Sequence, residues 1–231
     1  MSKRYQCLFF DLDHTLWDYE TNSANTLKEM FQQFNLQSWD FDFSAFRQSF
    51  SEVNRYLWDL YDNGKIDSQE IRKNRFVMIL RQLGVKDDKL ARNLSDHYLS
   101  ECPKKTALMP GAQDVLQHVV QHYRLTIVTN GFDEVQRTKL TCSGLMPYFD
   151  HVVTSERAGH KKPAPEIFRF ALGVNGASAH EAVMIGDNPF TDIAGAHRVQ
   201  MDAVWFNPER QKQPCKSRYE INHLTELCSL L

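Results

Sequence analysis

The chain has 231 residues, a hydrophobic fraction of 42%, a charged fraction of 24% and a formal net charge of -2. These values suit one large globular core, or a core carrying an insertion. They supply no basic field for DNA or RNA and no polybasic tract for a membrane surface, so neither a nucleic-acid polymer nor a membrane is expected as a partner.

Five cysteines (Cys7, Cys102, Cys142, Cys215 and Cys228) are scattered with no C-x-x-C pair, so neither a disulfide framework nor a zinc site is expected. No segment approaches the ~20 apolar residues of a spanning helix. Asp11 interrupts the apolar run that follows the basic N-terminus before a secretory core forms. A cytoplasmic location is expected.

The first predicted strand lies in "CLFFDLDHTLWD", residues 7–18. Its four apolar residues suit a strand buried on both faces, and strand alternation would turn Asp11 and Asp13 to the same side. Like charges that close repel, and each carboxylate costs desolvation unless it is paired. A positive partner is therefore required.

From Tyr19 to Lys105 the sequence is helix-patterned, with apolar residues three and four apart in "SANTLKEMFQQFN", "FSAFRQSFSEVNRYLWDLYDNG", "SQEIRKNRFVMILRQLG" and "KDDKLARNLSDHYLSEC". This stretch reads as an inserted helical domain, placed to sit over the strand ends as a lid. Within it "DLYDNGKIDSQE" resembles a calcium loop but puts Tyr61 where the third ligand belongs, so a helix–turn–helix at Asn63-Gly64 is the better account. Phe43, Phe46, Phe50, Tyr56, Trp58 and Tyr61 recur at helical spacings. They are compatible with a base-stacking pocket, although such a stripe is more often packing.

Beyond residue 105, "RLTIVTNG", "HVVTSE", "AVMIGDN" and "DAVWFN" read as strands. Around them lie "GAQDVLQHVVQHY", "DEVQRTKLTCSG", "PEIFRFALG" and "FTDIAGAHRVQ", which read as helices. That alternation predicts an α/β fold: a Rossmann-like open parallel sheet formed by residues 1–18 and 106–231, with a helical cap at 19–105. The tail after Pro208 is expected to close with a short strand or helix. Ligands of such sheets bind beyond the carboxyl ends of the strands, where Asp11, Asp13, Thr129, Asn130, Ser155 and Asp187 fall.

These residues supply what phosphate-ester hydrolysis needs. The carboxylates of Asp11, Asp13 and Asp187 would cage Mg2+. Thr129 and the turn after it, with Asn130, would hold phosphate oxygens. A lysine from "HKKPAPEIF" would offset negative charge in the transition state.

The four pieces "DLDHT", "VTNG", "HKKPAPEIF" and "IGDNPFTDIAGA", in this order and with a helical insertion after the first, resemble the haloacid dehalogenase-like superfamily and its capped phosphatase branch. The resemblance implies that Asp11 is the nucleophile and Asp13 the general acid and base. It also implies that Thr129 binds phosphate, that Lys162 is the third-motif lysine, that Asp187 is a metal ligand and that Asp192 is a supporting carboxylate. The backbone carbonyl of Asp13 is the family's usual second metal contact. His14 stands where the family commonly has glycine, and a role packing at the cap hinge is favoured over a chemical one. The wording "FFDLDHTLWDYETNS" further resembles the bacterial pyrimidine 5'-nucleotidase subgroup, which implies a nucleoside monophosphate as substrate. A sugar-phosphate phosphatase, a phosphomutase and a non-catalytic phospholigand-binding protein are the alternatives.

Overall fold

The computed structural model describes residues 5–213, 215 and 217–231. The chain forms two compact units, Met1–Tyr19 with Thr106–Leu231 and Glu20–Lys105. Residues 1–4, 214 and 216 lie outside the described residues, as does the basic start of the chain read above.

The first unit is built on a six-stranded sheet of order β3-β2-β1-β4-β5-β6. Its strands are β1 (Cys7–Phe10), β2 (Arg124–Thr129), β3 (His151–Thr154), β4 (Ala182–Gly186), β5 (Asp202–Phe206) and β6 (Tyr219–Ile221). Every neighbouring pair is parallel. The four residues of β1 and the five of β4 are all buried, as apolar runs in the middle of a parallel sheet must be. On one face Cys7 and Phe9 pack with Val128, Val153, Ile167, Phe168, Met184 and Trp205. Alternation sends Leu8 and Phe10 the other way, and both are fully buried there. Each such side chain contributes roughly 1.5–3 kcal/mol of burial free energy.

Among the described residues the α-helices are α1 (Tyr19–Gln33), α2 (Phe43–Asp62), α3 (Ser68–Gln82), α4 (Asp88–Glu101), α5 (Ala112–Val119), α6 (Asp133–Cys142), α7 (Ser155–Ala158), α8 (Pro165–Asn175), α9 (Ala194–Arg198) and α10 (Leu227–Leu230). The tail thus closes with both a short strand, β6, and a short helix, α10. Strand order reverses between β1 and β4, because β2 and β3 extend the sheet on one side of β1 and β4 to β6 on the other. Such a reversal marks the usual ligand position in open α/β sheets, beyond the carboxyl ends of the two strands.

The second unit is helical and has its own core. Along α2 the buried residues are Phe46, Ser49, Phe50, Val53, Leu57 and Tyr61, the three-and-four spacing of one helix face. Phe50 and Tyr98 approach with ring centroids 5.0 Å apart, and Phe76 lies 5.9 Å from Phe50. Phe46, Phe50 and Tyr61 of the aromatic stripe are therefore packing residues, whereas Tyr56 is 53% exposed. The segment resembling a calcium loop is a helix–turn–helix. Gly64 turns the chain with φ 71, and Asp67 and Glu70 form a capping box at the start of α3, each accepting the other's backbone N–H at 2.9 and 3.0 Å. All five cysteines are free. Among the described residues no helix is long and apolar enough to cross a membrane.

Candidate active site

Asp11 follows directly on β1 and its N–H donates to the Ile185 carbonyl of β4 at 2.9 Å. The chain then folds into a tight loop in which Leu16 and Trp17 both donate to the Leu12 carbonyl at 2.9 Å, and His14 donates to that of Trp17 at 3.0 Å. Leu12, Leu16 and Trp17 are fully buried and anchor it. His14 has φ 63, in the left-handed region, which explains why glycine suits this position. Its ring lies 4.9 Å from that of Tyr19.

Lys162, which is 2% exposed, places its ammonium 2.6 Å from Asp11 Oδ1 and 2.7 Å from Asp192 Oδ1. Asp192 is fully buried, and its second oxygen accepts from the Asn188 N–H at 3.0 Å. That approach demands a glycine at the end of β4, since a Cβ on Gly186 would stand 2.2 Å from Asp192 Oδ2. Burial pushes Asp11 up to about 7, with the negative charge of Asp192 adding to it and Lys162 opposing it. Burial also pushes Lys162 down, but Asp11 and Asp192 together hold it above the ordinary lysine range.

Asp13 has a different partner. Lys139 of α6 places its ammonium 2.5 Å from Asp13 Oδ1 and 4.5 Å from the centre of the Trp17 ring. Gln136 donates from Nε2 to Asp13 Oδ2 at 2.9 Å and to Thr129 Oγ1 at 2.7 Å. Burial would raise Asp13, but Lys139, Gln136 and His14 hold it below the ordinary carboxylate range. The positive charge demanded by two aspartates one residue apart is thus two separate lysines, one for each carboxylate.

Asp187 follows β4. Its Oδ1 accepts from the Thr15 hydroxyl at 3.1 Å, and its carbonyl accepts from the Trp205 indole N–H at 2.9 Å. Burial raises it to about 6, Asp11 adds to the rise and His14 opposes it. The carboxylates of Asp11, Asp187 and Asp192 offer oxygen atoms that all lie within 4.8 Å of one another. An all-oxygen set whose three carboxyl groups are raised first by burial and then by one another's charge fits a hard divalent cation. Asp192 is less suited to ligation because Lys162 and the Asn188 N–H already occupy its two oxygens.

The structure corrects one expectation. The Asp13 side chain does not join the carboxylate cluster, because Lys139 and Gln136 turn it aside, so only its backbone carbonyl is left for a metal. The Asn130 side chain clamps the loop that carries Lys162: its Oδ1 accepts from the Lys162 N–H at 2.7 Å and its Nδ2 donates to the Lys162 carbonyl at 3.0 Å. Thr129 ends β2 with its hydroxyl oxygen accepting from Gly131 N–H at 3.1 Å as well as from Gln136. Sequence reading missed Gln136 and Lys139, since "DEVQRTKLTC" reads as a plain amphipathic helix. Both residues are nonetheless buried, and this burial of a glutamine and a lysine one turn apart is the structural sign of their involvement.

The model of the haloacid dehalogenase-like hydrolases matches residues 8–206. The chain is 31% identical to the pyrimidine 5'-nucleotidase YjjG of Escherichia coli, over 99% of this chain and 98% of that protein. It is 30% identical to the pyrimidine 5'-nucleotidase PynA of Streptococcus pneumoniae, over 96% and 94% respectively. The crystal structure of the HAD-hydrolase YfnB from Bacillus subtilis, bound to magnesium, superposes with a TM-score of 0.88 at 31% identity, covering 99% of each chain.

Proposed function

The chain belongs to the haloacid dehalogenase-like hydrolases, and we propose that within them it is a Mg2+-dependent phosphomonoesterase acting through an aspartyl-phosphate on Asp11, with pyrimidine nucleoside monophosphates as its leading substrates. The observation that carries the reading is the division of labour between Asp11 and Asp13. One residue apart, they have separate surroundings: Asp11 lies in the carboxylate cluster with Asp187 and Asp192, 2.6 Å from the Lys162 ammonium, while Asp13 stands outside that cluster on Lys139 and Gln136, so the two are free to take different tasks. The nucleotide preference is supported by the full-length likeness to YjjG and PynA.

In this reading a carboxylate oxygen of Asp11 attacks phosphorus, the bond to the ester oxygen breaks, and Asp13 gives that oxygen a proton. Asp13 then takes a proton from the water that cleaves the aspartyl-phosphate, restoring Asp11 and releasing inorganic phosphate. Lys162 and the Thr129 hydroxyl hold phosphate oxygens, while Asp192 keeps Lys162 in place. Asp11, Asp187 and the Asp13 backbone carbonyl would hold Mg2+, which supplies neutralising charge for the phosphate. The assay is phosphate release with Mg2+ across pyrimidine and purine nucleoside monophosphates and sugar phosphates. Turnover led by the pyrimidine nucleotides is expected; preference for a sugar phosphate would remove the nucleotide assignment, and no release from any of them would remove the enzymatic one.

A further inference from the structure

The chemistry above assigns no task to Gln136 and Lys139 of α6. They stand three residues apart on one helix face, where side chains can act on a common target, and both are buried. An ammonium group taken out of water costs several kcal/mol unless it is paired, so Lys139 depends on Asp13 as much as it holds it. Its contact reaches Asp13 Oδ1 at 2.5 Å, and Gln136 reaches Oδ2 at 2.9 Å. With both oxygens engaged from one side, the Asp13 carboxylate is fixed in rotation as well as in place.

The same Gln136 Nε2 donates to Thr129 Oγ1, which also accepts from the Gly131 N–H. A hydroxyl oxygen with both lone pairs filled has only its proton left, and that proton points away from its two donors. The other amide hydrogen of Gln136 goes to Asp13, so one side chain sets two groups at once. Gly131 permits this, because a Cβ there would lie 2.2 Å from Gln136 Nε2.

We propose that Gln136 and Lys139 are positioning residues that lock the Asp13 carboxylate in the orientation for proton transfer and aim the Thr129 hydroxyl at a phosphate oxygen. The proposal rests on the reading of Asp13 as the proton donor to the leaving oxygen. A displacement of about 1 Å in such a group costs on the order of 10²-fold in rate.

The test is kcat/KM, which covers the steps up to departure of the leaving group, for two substrates that differ in their need for a proton. Phenyl phosphate has a basic leaving group, and 2,4-dinitrophenyl phosphate leaves unaided. Lys139→Met is expected to lower kcat/KM for phenyl phosphate by on the order of 10²-fold and for the dinitrophenyl ester by less than about 5-fold. Gln136→Leu is expected to show the same selectivity and in addition to raise KM for both substrates, and it decides the matter if Lys139→Met does not fold. An equal loss on both substrates, or no loss, overturns the proposal, since a merely structural role would not distinguish leaving groups. Asp13→Asn is run in parallel. If it shows no selective loss, the reading of Asp13 falls; if it is selective and the α6 variants are not, the positioning proposal alone falls.

Discussion

Gly186→Ala is the sharpest test of how the buried end of the site is held. The new Cβ would lie 2.2, 2.5 and 2.7 Å from Oδ2, Cγ and Cβ of Asp192, all inside contact distance and all on a side chain with no room to swing, since Asp192 is fully buried. Either β4 shifts, at the roughly 1–3 kcal/mol of an overpacked core, or the carboxylate leaves Lys162. The latter strands a lysine that is 2% exposed and costs about 3–5 kcal/mol. With Asp192 unable to swing, the strand shift is the cheaper route and sets the loss at about 1–3 kcal/mol. In a chain of this length that lowers Tm by roughly 2–12 °C, and turnover falls with it because β4 leads directly into Asp187. Gly173→Ala is the matched control: it lies within α8 with nothing within 4 Å of the added carbon, and it is expected to raise stability by about 0.5–1 kcal/mol. Thermal unfolding by circular dichroism reads both. A Gly186→Ala protein that melts within a degree or two of its parent would refute the reasoning that Asp192 lies over bare backbone.

Asp11→Asn and Asp13→Asn should each abolish nucleotide turnover while leaving the circular dichroism spectrum and a cooperative melt intact; undiminished phosphate release by Asp11→Asn would end the covalent mechanism. Thorough EDTA treatment should silence the enzyme and Mg2+ restore it, measured by the same phosphate assay, and activity surviving metal removal would contradict the oxygen site. In metal-free protein Asp11 is raised to about 7 and Asp187 to about 6, so the folded state holds protons that the unfolded chain releases near pH 4. The stability they provide is complete below about pH 4 and is lost as pH rises to the folded values near 6 and 7, by up to about 1.4 kcal/mol per group for each pH unit between its unfolded and folded values. Metal-free Tm should thus fall between pH 5 and 8, Mg2+ should raise Tm more at pH 8 than at pH 5, and Asp11→Asn should flatten the slope. A metal-free Tm that rises across that range would contradict the assignment.

The alternation of strand and helix was legible because apolar runs such as "AVMIG" and "CLFF" have few other ways to bury four or five consecutive side chains. Residues that follow parallel strands gather at one sheet edge whatever the strand order, so Asp11, Thr129 and Asp187 could be placed together without knowing that β4 lies beside β1. What escaped was set by side-chain direction. Asp13 was placed with Asp11 by strand alternation, but β1 ends at Phe10 and the following loop turns Asp13 toward α6. The hydrogen bonds of the Asn130 side chain to the Lys162 backbone join positions 32 residues apart, which no local pattern displays. Lys139 was hidden for a related reason: a lysine on an amphipathic helix is ordinarily solvated, and its burial follows from a loop more than a hundred residues earlier in the chain.

The central position of β1 has a consequence for biosynthesis. Its residues 7–10 pair with residues 124–127 on one side and 182–185 on the other, so this first strand leaves the ribosome long before either neighbour exists. A chain made from the N-terminus at roughly 5–20 residues per second holds an unpaired, wholly apolar segment for several seconds before β2 emerges, and longer before β4 does. The intervening helical unit draws its core from its own residues and offers β1 no sheet partner. Asp11 and Asp13, at the end of that waiting strand, act in the meantime as charged interruptions of a short apolar run, which discourages the self-association such runs otherwise favour. The two carboxylates at the centre of the finished site therefore also guard the chain while it is being made.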